Sequence, residues 1–317
     1  MSSFADFVMS PFRGGPSAAR AVFYMMIAGL AATFGNATIR FVSPDLHPFE
    51  ITFFRAFFSL FVLAPMLFRH GLVSLHTKHF PFHVLRGAMQ AIGMLVSHWA
   101  VAISPMAKVT ALSFTGPLFA TLLATMFMGE RFHLRRMLAL IFGFTGAVVI
   151  VQPGMIDFDL GAGLALMGAF EFAITMTIVK IMARTESSLT LTLYLGLIAT
   201  PLTGIAAYFV WQTPTLVHLA WMFVFSACAT ASNLAAAHAV READMAVVMP
   251  IRFTRLIFAA MIGYFFFAEI PDTATWIGGM MIFGASMYIA FRERKVRQDT
   301  VVMPAAPLAE KKDLLSG

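Results

Sequence analysis

The segment MPIRFTR, residues 249–255, sets two arginines inside an otherwise apolar run. At i and i+3, Arg252 and Arg255 fall on one face of a helix. A charge held at the centre of a bilayer costs at least about 2.5–3.5 kcal/mol unless it meets water, a counter-charge or a ligand. Two guanidiniums about 12 and 16 Å into a membrane helix therefore mark a polar interior, whose N–H donors suit the carbonyls and hydroxyls of a neutral or partly anionic planar solute. Glu171, in the apolar run FEFAITMTIV, lies at comparable depth. It is either a salt-bridge partner of Arg252 or Arg255 or a proton-carrying site. Arg55, with Glu50 five residues earlier, reads as a gating ion pair or a helix-stabilising contact.

Other polar residues in the apolar runs carry less specific signals. Asn36, Gln90, His98, Asn233 and His238 can hydrogen-bond a ligand or hold helices together. Phe114 and Phe253 are the phenylalanines placed to stack on a planar solute, while most of the 34 cover lipid-facing surface. Glu130 and Glu269 each close an apolar run, where a carboxylate bonds loop amides or a nearby arginine such as Arg131. His83, Arg86 and Lys108 stand near helix ends and are expected to reach toward the headgroups.

Catalytic chemistry finds no constellation. The single cysteine, Cys228, sits in an apolar run as a packing residue, so neither a disulfide framework nor a Cys-based metal site is expected. There is no G-x-x-x-x-G-K-[ST] phosphate loop. A membrane-embedded transferase, the alternative from another class, would need clustered carboxylates or a His-Asp pair at one membrane face, and no such stretch occurs. The expectation is no catalytic residue, no metal and no cofactor.

The elements that position these residues follow from composition. Of 317 residues 59% are hydrophobic and 12% charged, against about 45–50% and about 25% in a soluble domain. The lipid bilayer is thus a partner of this chain. At roughly 20 residues per span, the hydropathy pattern predicts ten helices at 21–42, 48–68, 81–103, 106–128, 136–152, 160–182, 189–210, 216–238, 244–267 and 273–291. Short connections such as SPDLH and WQTPT make consecutive helices antiparallel. The first twenty residues lack a signal-peptide pattern and read as a cytoplasmic tail.

Charge sets the direction. With the N-terminus inside, sixteen of the 22 Lys and Arg residues fall on inner segments, among them Arg131, Arg135, Arg136, Arg292 and Lys295. The net charge of +6 then reflects membrane orientation rather than a nucleic-acid partner. Both termini are expected to be cytoplasmic.

An offset of 139 residues carries Glu130 onto Glu269, with a Gly-rich apolar run after each, LALIFGFTGAVVI and WIGGMMIFGASMYIA. Each half holds five spans, and an odd number inverts the second half. Inverted repeats of this kind build secondary transporters with a site near the midplane. The expected organisation is a tail at 1–20, repeats at 21–152 and 160–292, and a tail at 293–317.

The stretches LHPFEITFFRAFFS, HVLRGAMQ, SPMAKVTALSFTGPLFATLLATMFMGE and ADMAVVMPIRFTRLIFAAMIGYFFFAE together resemble the drug/metabolite transporter superfamily. Specifically, they are similar to its EamA type, across nearly all of 21–292. The nearest branch resembles that of S-adenosylmethionine uptake carriers and bacterial riboflavin carriers. This resemblance implies an all-α permease of the bacterial cytoplasmic membrane that takes up a small molecule without ATP hydrolysis, and it admits a homodimer. In the S-adenosylmethionine branch the motif matching PIRFTR carries an acidic residue where Arg255 stands. A second buried arginine repels a sulfonium cation, so riboflavin is the favoured specific substrate. S-adenosylmethionine uptake and amino-acid or metabolite export remain as alternatives.

Overall fold

In lipid, apolar segments must satisfy their backbone N–H and C=O groups internally, and a helix does so within one segment. Helix dominates the structure, a computed structural model that describes residues 18–70, 77, 79–127, 134–153, 159–182, 188–243 and 245–302. In chain order the helices are α1 (Ala18–Val42), α2 (Pro48–His70), α3 (Phe80–Ile103), α4 (Met106–Ser113), α5 (Gly116–Phe127) and α6 (Leu134–Val151). They continue as α7 (Leu160–Met182), α8 (Ser188–Tyr208), α9 (Leu216–Glu242), α10 (Met245–Arg252), α11 (Thr254–Phe267) and α12 (Thr273–Val302). Among the described residues, seven stretches are long and apolar enough to cross a membrane: Ala18–Val42, Met106–Met126, Leu134–Val151, Leu160–Val179, Leu216–Glu242, Pro250–Phe267 and Thr273–Arg292.

Two of the expected spans are not continuous helices. The fourth breaks at Phe114 and Thr115 between α4 and α5, and the ninth breaks at Phe253 between α10 and α11. Each break follows the same local chemistry. Phe114 N–H donates to Ala111 and Phe253 N–H to Pro250, both tight i→i−3 bonds that turn the helix into a 3₁₀ step. The Thr115 hydroxyl then donates to the Leu112 carbonyl and the Thr254 hydroxyl to the Ile251 carbonyl, each at 2.7 Å. Pro117 and Pro250 withhold backbone donors near the two breaks. The offset that joins Glu130 to Glu269 also carries Phe114 onto Phe253 and SFTG onto RFTR.

Packing pairs distant helices. α1 runs against α9, α3 against α7, α6 against α12, and α2 against α8, while α3 also meets α8 and α2 meets α9. The main core gathers Ile51, Leu112, Leu118, Ile150, Phe225, Leu256 and Ile282 from both halves. α6 and α12 approach most closely at Gly146 and Gly278, where a Cβ on Gly146 would lie 2.7 Å from the Gly278 carbonyl. Only glycine permits that backbone approach. The outward faces carry exposed apolar residues such as Leu138, Phe142, Phe265, Phe266 and Met280, as a lipid-facing surface requires.

Polar ties gather at the end of the bundle where α1 finishes and α4 begins. Arg40 Nη1 lies 2.7 Å from Glu269 Oε1 and donates to the Ser104 carbonyl at 2.7 Å. Glu269 Oε2 accepts from the Met106 N–H at 2.8 Å, so the carboxylate after α11 caps α4. Lys108 pairs with Asp159 at 2.7 Å, and Asp159 Oδ1 accepts from the Ala162 N–H as the cap of α7. Burial pushes the Asp159 carboxyl up, but hydrogen bonds from Lys108, the Ala162 amide and Ser104, with the charge of Lys108, outweigh that and hold it below its ordinary value. Lys108 is therefore spent on a salt bridge rather than on headgroups. His83 and Arg86 are buried, not extended to the membrane surface, and the His83 ring stacks on Tyr194 at 4.4 Å.

Candidate substrate cavity

A cavity of about 600 Å³ opens between the two halves, lined by α1, α2, α3, α4, α5, α6, α7, α9, α10, α11 and α12. It passes the broken helices and reaches Arg136, Ile289 and Ala290 at the end of the bundle opposite the Arg40–Glu269 tie. Small residues are part of its wall, Gly35 and Ala32 on α1, Gly93 on α3 and Gly168 on α7, and the glycines make room for wall neighbours: Gly93 for Glu171, Gly168 for Ser97 and Gly35 for Phe225.

Nine residues singled out in the sequence line this space: Asn36, Arg55, Gln90, His98, Phe114, Glu171, Asn233, Arg252 and Arg255. Phe253 packs behind the wall on Phe114 and Phe283, and His238 packs on Tyr24 with ring centroids 5.5 Å apart. Arg252 ends α10 and Arg255 lies in the first turn of α11, so the arginines flank the break at Phe253. Arg252 is exposed and Arg255 half-buried although both sit deep in the protein. What they face is the cavity. The Phe253 ring between them lies 4.4 Å from Phe283 and 5.9 Å from Phe114, which brings the break residues of the two halves together.

Glu171 does not pair with either arginine: among the described residues no ion pair joins them. It turns back along its own helix to accept from the Thr175 hydroxyl, and its carboxylate packs where Gly93 leaves room on α3. Arg55 and Glu50 are likewise separate. At 3.6 residues per turn, positions five apart point about 140° from each other. Glu50, wholly buried, accepts from the Gln212 N–H at 3.0 Å. Arg55 instead points into the cavity wall over the Phe225 face, 5.4 Å from its centroid. His98 is fixed beside it, with Nδ1 2.9 Å from the Thr52 hydroxyl and its ring edge-on to Phe225. Glu269 takes the role of bonding a loop amide and an arginine, though that arginine is Arg40. Glu130 and Arg131 lie outside the described residues.

Sequence reasoning missed Ser97, Ser113 and Phe172 as wall residues and counted Arg136 only as an inner positive charge. Ser113 had a signal: it stands one offset before Arg252, in the motif SFTG that matches RFTR. Nothing in the residues around Arg136 distinguishes it from Arg135.

The division into two like halves agrees with comparison to known proteins. The profile of the EamA-like transporter family matches twice, at residues 19–152 and 159–291. The chain belongs to the EamA-like transporter family. It is a multi-pass membrane protein of transporter type. An S-adenosylmethionine uptake transporter of Rickettsia bellii is 29% identical over 272 residues, covering 86% of this chain and 94% of the relative. A riboflavin transporter of Vibrio cholerae is 29% identical over 278 residues, covering 86% and 93%. A pseudopaline exporter of Pseudomonas aeruginosa is 24% identical over 266 residues, covering 82% and 92%. A solved crystal structure with 14% sequence identity superposes with a TM-score of 0.57, covering 88% of this chain and 98% of its own, and so shares the fold.

Proposed function

We propose that this EamA protein is a secondary transporter of ten spans, arranged as two inverted five-helix repeats, that carries a small organic metabolite across the bacterial cytoplasmic membrane by alternating access. Both termini are cytoplasmic in this reading, because the basic residues concentrate on that side. The single observation that carries it is the meeting of the two broken helices, Phe114 against Phe253, at the wall of a cavity between the halves. Discontinuous helices facing each other at the midplane are how inverted-repeat carriers build a substrate site.

The packing supports the inversion. If each span of the first half corresponds to the span five later, the α1–α9 contact maps onto the α7–α3 contact. The α3–α8 contact likewise maps onto α9–α2, and α2–α8 and α6–α12 map onto themselves. A twofold axis in the membrane plane generates that pattern.

Riboflavin is the best specific substrate, by uptake. Phe114 and Phe283 offer ring faces to an isoalloxazine, backed by Phe253, and the Arg252 and Arg255 donors suit its carbonyls. S-adenosylmethionine is the second reading, favoured by the name of the Rickettsia bellii relative and opposed by the arginines, which would repel its sulfonium charge. Uptake of labelled riboflavin, S-adenosylmethionine and a panel of amino acids into cells expressing the protein decides between them. Riboflavin accumulation above the empty-vector control is expected; accumulation of none of the panel counts against a metabolite carrier.

A further inference from the structure

We infer that the cavity selects an organic anion, a planar or aromatic solute bearing a carboxylate or phosphate, and that Arg252 and Arg255 hold the charged end. The inference rests on the transporter reading and uses its cavity, but it sets an anionic solute such as the flavin phosphate above neutral riboflavin; ligand binding tests it without any flux.

The charge balance of the wall carries the argument. Among the described wall residues, Arg55, Arg252 and Arg255 face a single carboxylate, Glu171. No ion pair among the described residues engages Arg55, Arg252 or Arg255. The Nε atoms of Arg55 and Arg255 are enclosed and hydrogen-bond to nothing. Glu171 is turned to Thr175, and one carboxylate cannot neutralise three guanidiniums in any case. Buried charge without a partner is costly. An anionic occupant supplies the missing counter-charge and takes up the free donors; a neutral solute supplies only acceptors, and a cation makes the imbalance worse.

The repeat shows which end of the solute goes where. In the register that matches the halves, Ser113 and Gly116 occupy the positions of Arg252 and Arg255. The two halves therefore meet the cavity unequally: guanidiniums on the α10–α11 side, a hydroxyl and no side chain on the α4–α5 side. The oxyanion belongs against α10–α11, and the wall rings Phe114 and Phe283 face the rest of the molecule.

Matched pairs that differ in charge test this on purified protein in lipid nanodiscs, by calorimetry at low salt. The pairs are riboflavin 5′-phosphate against riboflavin and nicotinate against nicotinamide, with S-adenosylmethionine as the cation. The anionic member should bind at least about tenfold tighter in one pair or both; a preference confined to the flavin pair narrows the oxyanion to phosphate. Arg255→Gln and, separately, Arg252→Gln should weaken the preferred anion about 10–100-fold and cut its preference over the neutral partner by at least about threefold. The comparison on the parent protein stands even where a variant fails to fold. Equal or tighter binding of the neutral members, tightest binding of S-adenosylmethionine, or binding of none at millimolar concentration overturns the inference. Anions that bind but never cross a liposome membrane would leave it standing and remove the transporter reading. Flux of a neutral or cationic solute without anion preference would do the reverse.

Discussion

Breaking the Arg40–Glu269 tie should open the end of the cavity that it closes. The tie joins α1, the start of α4 and the end of α11 through a 2.7 Å ion pair and a 2.8 Å bond from the Met106 amide, with the two side chains 21% and 11% exposed. A charged hydrogen bond of this kind contributes about 1.5–3 kcal/mol when enclosed, and solvent contact on Arg40 moves the expectation toward the lower figure. Glu269→Gln keeps the shape and one acceptor but removes the charge. A loss of about 1.5 kcal/mol shifts the balance between closed and open ends roughly tenfold. The probe is a cysteine at Val101, a cavity-wall residue near this end that is 4% exposed, in a background where the sole native cysteine is removed as Cys228→Ala. An impermeant maleimide applied from the Glu269 face should label it several-fold to tenfold faster in the Glu269→Gln protein. Arg40→Gln should give a similar gain, and the double variant little more, because both remove one interaction. Labelling that is unchanged or slower in both single variants would refute the idea that this tie holds the end shut.

Three further outcomes follow from the same structure. Gly146→Val should force α6 and α12 apart, since its Cβ would meet the Gly278 carbonyl at 2.7 Å and Met281 Cβ at 2.8 Å; a loss of about 1–3 kcal/mol, read as a lower melting temperature, is expected, and an unchanged one would contradict the close crossing. Asp159 has a depressed folded pKa, so its contribution to stability is present above its unfolded value, about 3.9, and is lost as pH falls through the lower folded value; Asp159→Asn should melt below the parent at pH 6, with the gap closing only in acid below about pH 4, and a gap already gone at pH 5 would count against the Lys108 pairing. A reporter fused after Gly317 should be active only in a form that works in the cytoplasm, and activity of an externally active reporter there would reverse the orientation and leave the charge argument wrong.

Much of the frame was legible because lipid simplifies the code. A residue either belongs in hydrocarbon or does not, and the runs beginning at Ala21, Pro48, Met106 and Thr273 announced helices that begin within a few residues of those points. The two helix breaks were less visible, although their cause is written in the chain: Pro117, Pro250 and the threonines of SFTG and RFTR all sit at them. Hydropathy averages over such residues and cannot see where a hydroxyl turns back on its own helix. Arg252, Arg255, Glu171, Asn36 and His98 reached the cavity wall because depth alone makes a polar residue avoid lipid, whereas Phe114 reached it at the helix break. Partnerships were another matter. Glu171 with an arginine, and Glu50 with Arg55, required knowledge of which way each side chain leaves its helix. Arg40–Glu269 and Lys108–Asp159 join residues 229 and 51 positions apart, contacts that depend on how helices far apart in sequence pack rather than on local pattern.

The claim that solute passes the two arginines at the break is tested most directly by exchange across a sealed membrane. Liposomes containing the parent protein, loaded with the best-binding solute and diluted into its labelled form, should take up label against unlabelled solute. Liposomes with Arg255→Gln, shown to fold by an unchanged elution profile and melting temperature, should exchange at no more than about a tenth of that rate at a subsaturating concentration, the consequence of losing at least about 1.4 kcal/mol of binding. Exchange by Arg255→Gln and Arg252→Gln at the parental rate would contradict the account and place the path of the solute elsewhere in the bundle.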